Sequence, residues 1–120
     1  MEIVRIVLQV IVALGLINVW LMRRDRPTPY RGGKAKNMRE EFATYGLPPW
    51  SLYLVGGLKI AIAIAFLAGI WVPALVQPAA ILLALLMLGA FAMHMKVKDP
   101  LQRALPSVIM LVLAVLIAVL

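Results

Sequence analysis

The sequence predicts an all-α, integral membrane four-helix bundle, with a short amphipathic interfacial helix in its first loop. Three observations carry the bundle. Four apolar runs, residues 3–22, 51–72, 78–95 and 104–120, are each long enough to cross a bilayer. Of the 120 residues, 64% are hydrophobic and only 14% charged, far more apolar surface than a soluble core of this size needs. The charges also sit in the connections: Arg23, Arg24, Arg26, Arg31, Lys34, Lys36 and Arg39 follow the first run, and Lys96, Lys98 and Arg103 the third. These connections leave no room for a second folded unit, so residues 1–120 read as a single transmembrane domain.

The first run opens with Glu2 and Arg5 and ends at Arg23 and Arg24, the pattern of a retained anchor rather than a cleaved leader. The loop after it, residues 23–50, begins RPTPYRGGKAK, whose prolines and Gly-Gly pair favour a turn-rich segment over regular structure. Asn37 is placed as an N-cap, with Glu40 three residues on as in a capping box. Gly46 suits the left-handed C-terminal position, and Pro48 and Pro49 prevent continuation. These signals predict a short helix, residues 38–45, with Met38, Phe42 and Tyr45 on one face, lying on the interface or tucked among the helix ends. The loop reads as a lid.

Trp50 and Trp71 bracket the second run about 31 Å apart at helical rise, and Trp20 lies near the end of the first; all three read as interfacial belt residues. Gly57, Ala61, Ala65 and Gly69 recur every fourth residue and predict a stripe for close packing within the bundle, or against a second copy. Ala80 and Ala84 form a shorter one. Pro73 and Pro78 frame the uncharged second connection, VPALVQP. The final run covers only about 25 Å, with Pro106 in its first turn, so it is expected to stand nearly upright.

Both basic loops lie on one side of a four-span chain, so by the positive-inside rule they face the cytoplasm and both termini lie outside. Membrane lipids are the expected partner, with Arg23, Arg24, Lys96 and Lys98 on anionic headgroups. Nucleic acid is discarded, because the charges flank apolar spans with no recognition fold behind them.

Asn18, Lys59, His94 and Ser107 share one depth, in the cytoplasmic half. Lys59 lies about 13 Å along its helix from Trp50, opposite the small-residue stripe, and must be paired, hydrated or snorkelling there. His94 either sits at the interface on a helix-end carbonyl, or serves proton transfer or a hydrogen bond to a quinone-type carbonyl. Glu40 is already used in capping, so Glu41 is the better carboxylate for Lys59 or for the Arg and Lys residues between the third and fourth runs. Asp99, before Pro100, reads as a turn former. One histidine and no cysteine cannot build a zinc site, a bis-histidine haem or thiol chemistry in one protomer, and no metal is expected.

The segments YRGGKAKNMREEFATYGLPPW, LVGGLK and GIWVPALVQPAAILLALLMLGAFAMHMKVKDPLQRALPSVIML, in that order, resemble the DoxX-like family of small four-helix membrane proteins over about residues 24–115. The most telling parts are RGG with the later GLP, and MLGAxxMHxKVxDP before a proline-capped last helix. The resemblance implies a four-helix bundle and a link to thiosulfate:quinone oxidoreduction or oxidative-stress complexes. Relatives with thiol chemistry use cysteines, which this chain lacks, so it is expected to be no enzyme by itself and at most a subunit of a quinone-linked oxidoreductase.

The combined expectation is an inner-membrane accessory protein serving a redox partner or another membrane complex. Its cytoplasm-facing cleft, lined by Asn18, Lys59 and His94, would bind a quinone or lipid-like molecule. The covering loop would add Tyr30, Arg31, Asn37 and Glu41. A structural or assembly subunit is one rival. A small-solute transporter working as a homo-oligomer is another; it calls for polar residues along the whole crossing, where the outer halves of helices two to four are apolar.

Overall fold

The structure, a computed structural model, describes residues 2–22, 32, 33 and 35–120. Among these there are five α-helices and no strand. Helix α1 (Glu2–Ile17) runs on through a wider π-helical turn, Asn18–Met22. The short helix α2 (Met38–Thr44) is followed by α3 (Pro49–Ala68), α4 (Val76–Lys96) and α5 (Leu101–Val119), with a single 3-10 turn, Pro73–Leu75, between α3 and α4. Four helices are long and apolar enough to span a membrane, so the chain is a multi-pass membrane protein. Their outward residues, such as Ile3, Ile11, Ile64, Leu88 and Ile109, are exposed apolar side chains, as a hydrocarbon solvent requires.

The cap signals of the first loop act as read. Asn37 takes extended backbone and its Oδ1 accepts from Glu40 N–H at 2.8 Å. Glu40 closes the exchange one residue further back than a standard capping box, on the Lys36 N–H (3.0 Å). At the other end Gly46, with φ 79°, lets its own N–H reach Ala43 C=O and the Leu47 N–H reach Phe42 C=O, a Schellman closure.

Four expectations need correction. Pro106 lies in the sixth position of α5, because that helix starts at Leu101, directly after Pro100; the missing N–H therefore leaves the Gln102 carbonyl without its helical donor. The same early start lengthens the span to about 28 Å, so the helix is no longer short for a bilayer. Only the second half of the stripe on α3 packs: Ala65 lies against the core and Gly69 is buried beside Val76, whereas Gly57 and Ala61 are exposed and the buried edge at that level is Leu52, Gly56, Ala63 and Phe66. Trp50 and Trp71 are exposed as belt residues are, but Trp20 is 4% exposed and packs edge-on against Phe42, ring centroids 6.2 Å apart.

The helices form a ring in which α1 packs on α3, α3 on α4, α4 most closely on α5, and α5 back on α1. Val12, Ala13 and Leu16 meet Ile62, Phe66, Leu83, Met87, Ala114 and Ile117 in one apolar core. A second, smaller cluster of Trp20, Met38, Phe42 and Leu52 lies under α2. One polar side chain enters the main core. Gln9 is fully buried and donates to the Phe66 carbonyl at 2.9 Å, while accepting from Arg5 Nε at 3.0 Å. The tightened end of α3 explains it: Ile70 N–H bonds Leu67 C=O, which takes the helical donor away from Phe66, and Gln9 replaces it.

Adjacent glycines on α3 test this packing. A Cβ on Gly56 would fall 2.7 Å from the Trp20 ring, whereas one on Gly57 meets nothing within 4 Å. Gly56→Ala is expected to lower stability by about 1–3 kcal/mol through overpacking. Gly57→Ala is expected to be neutral or to gain up to about 1 kcal/mol from helix propensity. Unfolding of both variants in one detergent measures the difference.

Candidate functional site

The end of α4 builds the centre of the site by local backbone rules. Lys98 adopts φ 58°, and from this left-handed position its N–H bonds Met95 C=O while the next N–H, of Asp99, bonds His94 C=O. This is a Schellman closure with lysine where glycine is usual, and it folds the residue after it back over the third residue from the helix end. In this motif an apolar pair frequently meets there. Here the pair is His94 and Asp99, with Nδ1 and Oδ2 2.9 Å apart and both residues buried. Asp99 is therefore not the simple turn former its place before proline suggested.

Two further chain segments dock on this pair. Gly33 N–H donates to both Asp99 oxygens, at 3.0 and 3.3 Å, and Arg103 Nη1 donates to Gly33 C=O and to Asp99 Oδ1 (3.3 Å). Gly33 holds φ 57°, and a Cβ on Gly32 would fall inside the Tyr45 ring, so the Gly-Gly pair is what lets the loop lie this close. From α2, the Tyr45 hydroxyl donates to Glu41 Oε1 at 2.7 Å and lies 3.3 Å from His94 Nε2, with Gly32 N–H also on Glu41 Oε1 at 3.2 Å. Lys96 Nζ donates to the Tyr45 carbonyl at 2.9 Å. The end of α4 thus holds the C-cap of the short helix at two points, through His94 and Lys96, while Asp99 and Arg103 hold Gly33.

Proton counting shows what the chain Asp99–His94–Tyr45–Glu41 can do. With Asp99 ionised, Nδ1 carries a proton and donates to it. While Tyr45 donates to Glu41, its oxygen can only accept from Nε2, so this arrangement is complete when both imidazole nitrogens are protonated. A neutral ring with the same Nδ1 proton accepts the Tyr45 hydroxyl instead, and Glu41 loses that donor. For Asp99, burial pushes the carboxyl up, but the hydrogen bonds from His94 and Gly33 N–H and the charges of His94 and Arg103 more than offset it. The net effect holds it below its ordinary value.

Beside this network lies a cavity of about 470 Å³ between the two apolar clusters, within the usual size of small-molecule sites. Its walls include Leu16, Val19, Val55, Leu86, Met93 and Met110, and its polar lining is Glu41, Tyr45, Lys59, His94, Arg103 and Ser107. Lys59 points inward: its Nζ stands 5.2 Å from the centroid of the buried Trp20 ring, a cation–π placement, and not out toward headgroups. Glu41 acts favourably on it through charge, without an ion pair to it.

A family model described as DoxX-like matches residues 32–117. The chain belongs to the DoxX-like family. The matched stretch of this DoxX-like protein begins at Gly32 and holds α2 to α5, hence the whole Asp99–His94–Tyr45–Glu41 chain. No curated protein and no solved structure matches it.

Of the residues expected from sequence, Lys59, His94 and Glu41 come together at the cavity. Asn18 is half-buried in the π-helical turn and does not line it; its neighbour Trp20 does. Asn37 is spent on capping α2. Lys96, expected on headgroups, is bonded to α2, while Lys98 is exposed. Arg23, Arg24, Tyr30 and Arg31 lie outside the described residues. Tyr45 and Arg103 were not singled out as site residues. The only local sign was the Glu41–Tyr45 spacing of four, which puts both on one helical face.

In this DoxX-like protein the Asp99 contacts are expected to hold segment 32–45 down. Asp99→Asn keeps the shape and removes the charge, and is expected to speed amide exchange in that segment about tenfold, equivalent to about 1.4 kcal/mol. A carboxyl whose folded pKa is depressed stabilises above its unfolded value, about 3.9, and loses that contribution as pH falls through the lower folded value. Wild-type protection, corrected for intrinsic exchange, is thus expected to fall below about pH 4, and the variant is expected to lack this acid branch.

Proposed function

We propose that this protein is a non-catalytic accessory component of the inner membrane. It holds a quinone or lipid-like molecule in the cavity beside α2 and serves a redox partner in the same membrane. The observation that supports this most directly is the cavity itself: apolar walls from all four spans adjoin one set of hydrogen-bonding groups, Lys59, Tyr45, His94 and Glu41. Long apolar walls with a few convergent polar groups suit an amphiphile with one polar head. Helix α2, with Gly32 and Gly33 before it, forms the cover. In this reading the basic connections place the α2 end in the cytoplasm and both termini on the far side.

Occupancy is tested by purifying the chain in mild detergent and extracting what comes with it for mass spectrometry. The wild type is expected to carry quinone or lipid in near-stoichiometric amount. Gly89 lines the cavity, and a Cβ there meets nothing within 4 Å, so Gly89→Phe is expected to fill the space and reduce the carried molecule about tenfold or more without unfolding the bundle. Undiminished retention in Lys59→Leu and His94→Ala proteins would show that these residues hold no ligand.

Orientation has a separate test, made simple by the absence of native cysteine. Gln102→Cys is expected to react with a membrane-impermeant maleimide only in inverted vesicles, and Ala74→Cys only in intact cells. The reverse pattern would overturn the assignment.

A second reading, a structural subunit of a larger membrane assembly, draws on the exposure of Gly57 and Ala61 on the outer face of α3. Small residues there allow another helix to approach closely. Native mass spectrometry separates the two, because a lone, ligand-bearing bundle argues against assembly.

A further inference from the structure

We infer that the head of the molecule held in the cavity is an anion, a carboxylate or a phosphate on an apolar chain, and that Lys59 selects it. The inference rests on the cavity being a binding site as proposed above. It starts from the charged groups that line the cavity. His94 is matched by Asp99, and Arg103 by Asp99 and the Gly33 carbonyl. Glu41 accepts from Tyr45 and from Gly32 N–H. Lys59 is different: among the described residues its ammonium makes no hydrogen bond and no ion pair, and the group it faces is the Trp20 ring.

A ring face attracts a cation but offers no lone pair to its N–H donors. Lys59 lies within a membrane-spanning helix, one turn from the core residues Ile62 and Ala63, where an ammonium without an acceptor is costly. Its three donors therefore meet no acceptor among the described residues; beside the Trp20 ring, only the charge of Glu41, at longer range, acts on it. A neutral quinone carbonyl would supply an acceptor and no charge. An ionised head supplies both, and charge-assisted hydrogen bonds are about twice as strong as neutral ones. Much of the remaining lining is apolar, Leu86, Met93 and Met110 among it, and suits a hydrocarbon chain.

The test uses the full chain in lipid nanodiscs, with empty discs as the blank, and four probes: palmitate, palmitate methyl ester, a lysophosphatidate of the same chain length, and decyl-ubiquinone. Binding is measured at a pH where the acids are ionised. At least one of the acids is expected to bind ten times or more tighter than the ester, and which one does so tells carboxylate from phosphate. Lys59→Met is expected to abolish that difference, with helix content and the thermal unfolding midpoint in the same discs showing that the variant is folded. Lys59→Arg is expected to keep it. Equal binding of acids and ester by the wild type, or a preference that survives Lys59→Met, would overturn the inference. Binding of decyl-ubiquinone alone would overturn it while leaving the occupied cavity intact. If no probe binds and Gly89→Phe changes nothing, the inference and the cavity reading fall together.

Discussion

The contact between His94 and Asp99 is the constraint on which the α2 end of the molecule depends. It is made by one turn of backbone, the left-handed Lys98, yet three separate pieces of chain are arranged by it. Asp99 receives the Gly33 N–H and Arg103; His94 presents its other nitrogen to Tyr45. A carboxylate and an imidazole buried together at a membrane boundary need every lone pair and proton matched. Here the loop glycines, the arginine one turn into α5 and the tyrosine at the end of α2 do the matching. The position of the cover over the cavity is thus set by the way α4 ends.

That dependence also explains how an isolated-looking helix of seven residues persists. A helix this short is not stable by its own hydrogen bonds. Its ends are closed by Asn37 and by the Gly46 turn, its Phe42 is seated on Trp20, and its last carbonyl is held by Lys96. Each contribution is modest, and several act only when the others are in place. Movement of α2 away from the bundle breaks the Tyr45–His94, Lys96–Tyr45 and Gly33–Asp99 contacts together, so segment 32–45 should open as one unit rather than fray residue by residue.

What was legible in the sequence follows the range of the interaction. The spans, the cap at Asn37 and the turn at Gly46 are written in local patterns, and they hold; for Lys59 the spacing left a helix contact and a reach to headgroups both open, and the side chain turns to Trp20. The Tyr45–His94 contact joins residues 49 apart, and the Gly33–Asp99 contact joins residues 66 apart; no local pattern encodes either. The misreading of Gly57 and Ala61 has another cause. In a soluble helix, a face of small residues opposite a lysine would be the buried one. In a bilayer the outer solvent is itself apolar, so small residues suit the lipid face as well as a helix contact, and composition does not tell them apart. Trp20 was misplaced for a similar reason: its depth is that of a belt residue, but its direction is set by the π-helical turn, which carries it inward under α2.

The two polar insertions into this apolar molecule show why one is packed closed and the other stands beside a cavity. Gln9 enters the main core to complete a carbonyl that the tight end of α3 leaves without its donor, and its own oxygen is taken by Arg5. That insertion is closed: each group has its partner and the core packs around it. At the α2 end the charged groups are matched in pairs by neighbours along the rim, except for Lys59, which projects past the rim into the space between the spans. Filling that space with apolar side chains would bury the ammonium against hydrocarbon with no acceptor, at a cost of several kcal/mol. Leaving it open keeps room for an oxygen-bearing group beside Nζ. The same residue that makes tight packing unfavourable there is the one that gives an occupant of the cavity something to bind.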